Sequence, residues 1–329
     1  MMRVSRSKVL TLAIGAAAAL VSVLQPFGYS PDYPQYSYFF DQLRSDYLSQ
    51  LRESRFELGF LHLSYLLTQI FRENVHVYGF FVLIAIGLKV YFAGRFSAKN
   101  YAWIFLVFYF FKFFPLHELT QLRAAMAASL LVVVFYYYSI ERYWIALSIS
   151  LIAIAFHNSA GLVLPFFLTP MAALTRGRIV LAALIVYVSC YLISDYLVGF
   201  LADRIVVFEM YINAGIESRR DAAFSPVFFP EFFLIALSFV CWRDLSGVMK
   251  KVLAIEVFGF AVFYGFIDLG VVAVRGRELF SVLWIVFVAQ FPFAGKKIRA
   301  GIVFFVLASV LLSVYLYFVL DFFASELGY

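Results

Sequence analysis

The chain has 329 residues, of which 64% are hydrophobic and only 14% are charged, and its formal net charge is +6. A soluble domain of this length is closer to half apolar, and no stretch here is polar enough to coat a soluble surface. The basic residues punctuate the apolar runs as loop charges do, which argues against a nucleic-acid partner. We therefore expect lipid as the solvent and helices as the elements, because the long apolar runs do not alternate.

The first apolar run follows a basic N-terminus. Arg3, Arg6 and Lys8 precede a hydrophobic stretch from Val9 to about Leu24. This pattern resembles the start of a signal peptide, but in a chain this hydrophobic we favour an uncleaved first helix. Both alternatives place the N-terminus in the cytoplasm.

Ten further apolar runs are candidate membrane spans. Several are shorter than the roughly 20 residues that cross a bilayer upright, so their boundaries are approximate. The runs cover residues 75–94, 100–115, 120–139, 143–157, 160–175, 179–200, 228–242, 251–268, 278–293 and 298–322.

One more run, residues 56–71, is ambiguous, and the distribution of basic residues decides how it is interpreted. If it does not cross, the short basic loops all fall on the side of the N-terminus, and the tail 325–329, without Lys or Arg, falls outside. If it crosses, the basic residues of 296–299 lie outside. We therefore predict a single transmembrane domain over residues 1–329 with eleven spans, N-in and C-out. The run 56–71 becomes an outer amphipathic or re-entrant helix, within outer loops at about 28–74 and 201–227.

This topology gathers an unusual set of polar residues at the outer ends of the helices. An ionisable residue inside a span costs about 2.5–3.5 kcal/mol at the centre, so such a set points to a polar cavity. Each member also has a simpler interpretation: snorkelling for the arginines, helix-end hydrogen bonding for the histidines, a turn for the aspartate. The set is Asp32, Tyr36, Glu57, His117, Glu118, Arg123, His157, Arg275, Arg277 and Glu278.

The residue types in this set suit an anionic substrate, because a guanidinium presents a planar fork that matches phosphate oxygens. His157, a carboxylate or a tyrosine is suited to proton transfer. Cys190 and Cys241 lie in apolar runs without further ligands, and no Asp-x-Asp pair or histidine cluster indicates a metal. No glycine-rich loop supports nucleotide hydrolysis. From the residues alone we predict an outer-facing cavity for a phosphate-bearing amphiphile.

The order of the motifs resembles that of a known family. It runs Asp32-x-x-x-Tyr36, Glu57-Leu58-Gly59-Phe60, Arg123-x-x-x-Ala127-x-Ser129, Phe156-His157-Asn158-Ser159-Ala160 and Arg275-x-Arg277-Glu278. This series, over about residues 20–290, resembles the EpsG-like branch of the Wzy-type polysaccharide (O-antigen) polymerases. One departure is Ala124, where the resemblance leads us to expect glutamine after the helix arginine.

The resemblance implies a GT-C-like glycosyltransferase of the bacterial inner membrane with its active face in the periplasm. Such an enzyme transfers the growing glycan from undecaprenyl diphosphate to the non-reducing end of a new lipid-linked repeat unit, without metal or cofactor. Membrane lipid and a chain-length regulator are the implied partners, and nucleic acid is not. The implied catalytic candidates are His157, Glu57, Asp32 and Glu278. The implied candidates for contacts with the diphosphate or the glycan are Arg123, Arg275, Arg277, Tyr36 and His117.

Three other functions remain as alternatives to the polymerase. A flippase or transporter for a lipid-linked glycan also needs a cationic cavity, but we find no internal repeat in the sequence. An O-antigen ligase uses the same donor and would be favoured by a larger outer loop than 201–227. A membrane acyltransferase would need its catalytic histidine on the inner side, whereas His157 is predicted on the outer side.

The predicted topology has a direct test at the loop after the 75–94 span. With Cys190 and Cys241 replaced by serine, Ser97→Cys should react with a membrane-impermeant maleimide only in inverted membrane vesicles. Labelling of intact spheroplasts would contradict the topology, because it would place the basic loop outside.

Overall fold

The structure, a computed structural model, describes Gly15 and residues 32–54, 56–163, 175–202 and 226–316. These residues form helices and the turns between them, and none of them lies in a β-strand. The all-α prediction is therefore confirmed for this part of the chain. The described residues fall into two compact units, the first within Met1–Gly161 and Ser309–Tyr329, the second within Leu162–Ala308.

The first unit contains the helices that hold or flank most of the predicted site residues, and a π-helical turn, Phe114–Glu118, precedes the sixth of them. A short 3₁₀ segment, Asn158–Val163, follows the seventh. The helices are α1 (Tyr33–Ser45), α2 (Tyr47–Glu53), α3 (Leu58–Ile70), α4 (Asn74–Gly94), α5 (Ala102–Lys112), α6 (Leu122–Ser139) and α7 (Tyr143–Phe156).

Helix α6 packs against both α4 and α7 and is the central helix of this unit. Its first turns contain four buried alanines, Ala124, Ala125, Ala127 and Ala128. Small side chains allow neighbouring helices to approach closely, as they do at helix interfaces in membranes. The close packing fixes the start of α6, and with it the backbone of Arg123.

Helix α1 is amphipathic, with Tyr36, Phe39, Phe40 and Leu43 buried at spacings of three and four residues. This spacing places them on one helix face. The Tyr36 ring lies 5.8 Å from that of Phe60 on α3 and 6.0 Å from that of Tyr78 on α4, centroid to centroid. Aromatic contacts of this kind fasten α1 to the helices that follow it.

A polar contact fixes the other end of α1. Asn74, the first residue of α4, donates its side-chain amide to Ser37 Oγ at 2.8 Å and to Asp41 Oδ1 at 3.0 Å. Arg44 donates to the Asn74 side chain and, at 3.1 Å, to the carbonyl of Phe71. The C-terminal half of α1 is therefore held at the beginning of α4.

The second unit is arranged around α10, which packs against α8 and α11. Close approach requires glycine at two positions of α10: a Cβ at Gly259 would lie 2.7 Å from Phe280 Cβ, and one at Gly265 would lie 2.5 Å from Cys190 Cβ. The helices are α8 (Arg176–Ala202), α9 (Phe229–Val240), α10 (Gly247–Gly265), α11 (Gly270–Ser281), α12 (Trp284–Ala289) and α13 (Lys296–Val314), which begins in this unit.

Four helices of the described part are long and apolar enough to cross a membrane: Asn74–Gly94, Leu122–Ser139, Arg176–Ser194 and Lys296–Val314. Four shorter apolar helices, α3, α5, α7 and α9, accompany them. A helical membrane protein is thus supported. The count of eleven spans and the N-in, C-out orientation stay predictions. The first predicted span, most of 160–175 and most of the loop 201–227 lie outside the described residues.

The course of the chain differs from the sequence prediction at two places. The described part of the predicted loop 28–74 is mostly helical and contains α1, α2 and α3, of which α3 matches the predicted helix at 56–71. The predicted span 278–293 does not coincide with one continuous helix, because α11 ends at Ser281 and α12 ends at Ala289. An i→i+3 hydrogen bond from Leu283 N–H to the Phe280 carbonyl (3.2 Å) tightens the first break. Pro292 has no backbone N–H and prevents α-helical hydrogen bonding after the second break, which follows the end of α12.

A buried charge cluster lies at the junction of α4 with the π-helical turn. Lys89 Nζ is 2.5 Å from Glu118 Oε1 and 3.3 Å from His117 Nδ1, and all three residues are fully buried. Tyr78 O–H donates to the carbonyls of Glu118 and Leu119, both at 3.1 Å. Because the turn contains a proline near its start, its backbone departs from the α-helical pattern. The side chains of His117 and Glu118 are buried in this turn.

The Lys89–Glu118 pair should determine the stability of the first unit. Lys89→Met leaves a buried carboxylate without its counter-ion, so the free energy of unfolding should fall by about 3–5 kcal/mol. Lys89→Met/Glu118→Gln removes both charges and should recover much of the loss. Thermal unfolding in detergent measures both effects, with Lys297→Met as the exposed control. Equal unfolding temperatures for Lys89→Met and wild type would contradict the assigned role.

Candidate active site

The carboxylate of Glu57 joins two distant segments of the first unit. Arg123 Nη1 donates to Glu57 Oε2 at 2.7 Å, from 66 residues downstream. His157 Nδ1 lies 3.1 Å from Oε1, and the backbone N–H of Asn158 donates to the same oxygen at 3.2 Å. The Glu57 side chain is 8% exposed, whereas those of His157 and Arg123 are 15% and 25% exposed. The cluster is therefore anchored on a buried acid and open at the histidine and the arginine.

Helix ends bring these residues together. Glu57 precedes the first residue of α3, Arg123 lies in the first turn of α6, and His157 follows the last residue of α7. Gly59 permits the approach of α3 to α7, because a Cβ there would lie 2.7 Å from the carbonyl oxygen of Ala155. The glycine of the Glu57-Leu58-Gly59 motif thus fixes the distance between Glu57 and His157.

Aromatic rings support Arg123. Its guanidinium lies 4.6 Å from the centroid of the Phe56 ring, a cation–π contact. Tyr36, which is buried, stacks on Phe56 with centroids 6.2 Å apart. Burial raises the pKa of Tyr36, and the neighbouring Arg123 only partly opposes that rise, so the phenol stays protonated at neutral pH. Arg123 Nε is buried and hydrogen-bonds to no residue that the structure describes.

The electrostatics separate the roles of the acid and the histidine. Burial alone would raise the pKa of Glu57, but the hydrogen bond with His157 and the charge of Arg123 outweigh it and bring the pKa to about 2. Glu57 is therefore ionised at physiological pH and is a weak base. An ionised carboxylate at Nδ1 favours the tautomer with a proton on that nitrogen, which leaves the lone pair of His157 Nε2 available.

The remaining predicted residues of the first unit lie around this cluster or in the buried charge cluster. Asp32 precedes α1, does not cap it with its side chain, and is close enough to influence Tyr36 electrostatically. His117 and Glu118 contact Lys89, as described above. The structure thus brings Glu57, Arg123 and His157 together as a contacting group, with Tyr36 beside them.

The predicted residues of the second unit lie on α11, and the two arginines among them make three ion pairs. Arg277 is 3% exposed and donates to Glu231 and, at 2.7 Å, to Glu256, both buried carboxylates. Its guanidinium also lies 4.0 Å from the centroid of the Phe260 ring. Arg275 is 38% exposed and pairs with Glu278 at 3.2 Å, one helical turn away. Arg275 is thus the more accessible of the two arginines.

Several partners were missed by the sequence analysis. Lys89, Glu231 and Glu256 each lie within an apolar helix, and an ionisable residue in such a run is itself a signal for a polar cluster. Phe56 carried no such signal, since its role depends on the position of Arg123. Within the described residues no group of three or more His, Cys, Asp or Glu side chains is arranged to hold a metal ion. Metal independence stays a prediction.

These features define a helical membrane protein with a buried acid–histidine–arginine site. A family model described as the EpsG family matches residues 12–327. The chain belongs to the EpsG family, a Wzy-like polymerase family associated with polysaccharide biosynthesis. No curated protein and no solved structure matches the chain. The family resemblance predicted from the motifs is thereby confirmed.

Gly59 offers a test of the site that leaves every polar residue in place. Gly59→Ala should push α3 away from α7 and lengthen the Glu57–His157 contact, and a displacement of about 1 Å can lower a catalytic rate by about 100-fold. Gly87→Ala is the matched control, because a Cβ there meets no atom within 4 Å. Polymer yield per unit of membrane-inserted protein measures the effect. Similar yields for the two variants would contradict the role of Gly59.

Proposed function

We propose that this chain is a polysaccharide polymerase that moves the growing glycan from undecaprenyl diphosphate onto the non-reducing end of a new lipid-linked repeat unit. We place the reaction at the periplasmic face of the bacterial inner membrane. The observation that carries the proposal is the contact of Glu57 with His157 and Arg123, in a chain of the EpsG family. A chain-length regulator is a further proposed partner.

In the proposed reaction His157 is the general base. Its Nε2 takes the proton of the acceptor hydroxyl as the hydroxyl oxygen attacks the anomeric carbon of the growing chain. The new glycosidic C–O bond forms while the bond from that carbon to the diphosphate oxygen breaks. Undecaprenyl diphosphate leaves with the bonding electron pair. Glu57 orients the imidazole and stabilises the imidazolium, in the manner of the acid in a Ser-His-Asp triad.

Arg123 is proposed to stabilise the negative charge that develops on the leaving diphosphate. One of its terminal nitrogens is committed to Glu57, and the side chain keeps donors for a substrate. Arg275, partly exposed, is the second candidate for a phosphate contact. We propose a positioning role for Arg277, because two buried carboxylates already engage its guanidinium. Asp32 and Glu278 remain alternative bases that the geometry supports less well than His157.

The catalytic pair can be tested by glycan chain length in a deletion strain. His157→Ala and Glu57→Gln, supplied in trans, should lower polymer formation by at least about 100-fold, because the first removes the base and the second removes the carboxylate that orients it. His76→Ala and Glu73→Gln change the same residue types at exposed positions and should restore the full ladder. All variants are compared at equal levels in the membrane.

The deletion itself discriminates the proposed function from its alternatives. A polymerase deletion should leave single repeat units that still reach the cell surface, and the wild-type chain should restore long polymers. Loss of all surface glycan, single units included, would instead identify a flippase or a ligase. A full ladder from His157→Ala would remove this histidine from the reaction.

A further inference from the structure

A groove of about 630 Å³ lies along α1 and α2 of the first unit, and Phe39 of the buried aromatic face is among the residues that line it. Its size is within the range of about 300–1,000 Å³ that is usual for small-molecule sites. Apart from Pro34, the residues that line it are polar or aromatic, and none is charged. Gln42, Gln50, Ser54, Tyr38 and Phe56 are among these residues.

The chemistry of this lining suits an uncharged, hydroxyl-rich ligand. Primary amides both donate and accept hydrogen bonds, as the hydroxyl groups of a sugar require, and aromatic rings present a flat surface to the C–H face of a sugar ring. Among the described residues, the hydrogen bonds of Gln42 and Gln50 involve their backbones and not their side-chain amides. Tyr38 is 68% exposed. The groove therefore offers hydrogen-bonding groups and an aromatic surface that the fold itself does not use.

The groove borders the candidate active site at Phe56. This ring lines the groove, and Arg123 stacks on it with 4.6 Å between the guanidinium carbon and the ring centroid. Glu57 is the next residue along the chain. A ligand in the groove is thus adjacent to the residues that contact His157.

We propose that this groove binds a neutral sugar residue of the lipid-linked glycan, next to the sugar that reacts. The inference rests on the proposed polymerase function and deepens it by naming the side chains that hold the glycan. Gln42 and Gln50 supply the hydrogen bonds, and Tyr38 supplies the stacking surface. The absence of lining charges at the described positions favours neutral sugars over acidic ones.

Binding can be measured without any reaction. The probe is the repeat-unit oligosaccharide released by mild acid from the lipid fraction of the deletion strain, added to the full chain in nanodiscs and observed by saturation-transfer NMR. Wild type and His157→Ala should bind it, whereas Gln42→Ala/Gln50→Ala should bind at least about tenfold more weakly, because two hydrogen bonds are lost. Gln69→Ala, an exposed amide on α3, is the matched control and should bind as wild type does.

The outcomes separate the groove from the polymerase. Undiminished binding by Gln42→Ala/Gln50→Ala, or no binding by wild type, overturns the groove. Binding that depends on the two glutamines supports the groove. A normal ladder in the deletion strain would overturn the proposed polymerase function but would leave that binding result unaffected. In a polymerisation assay with the lipid-linked unit, the double variant should raise the half-saturating concentration about tenfold and leave inhibition by bare undecaprenyl diphosphate unchanged. Equal loss of affinity for the bare carrier would contradict a role in sugar binding.

Discussion

The largely buried carboxylate of Glu57 determines how three segments of the first unit meet. A buried ionised group without partners costs several kcal/mol, so the fold has to bring donors to it. Those donors come from Arg123, His157 and the backbone of Asn158, at separations of 66, 100 and 101 residues. The beginnings of α3 and α6 and the end of α7 must therefore meet at one point. The packing at Gly59 and the alanine-rich start of α6 make that meeting possible.

Hydropathy predicted the apolar helices well and the polar ones poorly. The predicted spans 75–94 and 120–139 correspond to α4 (Asn74–Gly94) and α6 (Leu122–Ser139) within one or two residues. Hydropathy places α1 in a loop, because the mean polarity of this helix hides a buried stripe at Tyr36, Phe39, Phe40 and Leu43. A window that averages hydrophobicity detects helices surrounded by apolar groups, whereas an amphipathic helix is detected only by its period.

The site was predictable as a set of residues, but the pairing within that set was not. The motif order indicated Glu57, Arg123 and His157, which the structure places in contact. The motif order does not show which residue is the base, because that depends on which oxygen atoms of Glu57 already accept hydrogen bonds. The two acidic partners of Arg277 lie 46 and 21 residues away in sequence, and Lys89 lies 29 residues from Glu118. Such pairings follow from helix packing, which a single sequence does not specify.

Exposure distinguishes buried charges that hold the fold together from those that can meet a substrate. Lys89 and Glu118 are 0% exposed and neutralise each other, and Arg277 is 3% exposed between two carboxylates. Breaking such contacts to bind a phosphate would leave a buried carboxylate uncompensated, at a cost of about 3–5 kcal/mol.

Arg123, His157 and Arg275 differ in this respect, because each has one acidic partner and remains 25%, 15% and 38% exposed. Their partners orient them without enclosing them. Substrate contact at these positions therefore need not break an internal ion pair, whereas at Arg277 it would. For the same reason the uncharged groove beside Phe56 complements the site: it can hold a sugar by hydrogen bonds and stacking without adding a charge that would compete for Arg123.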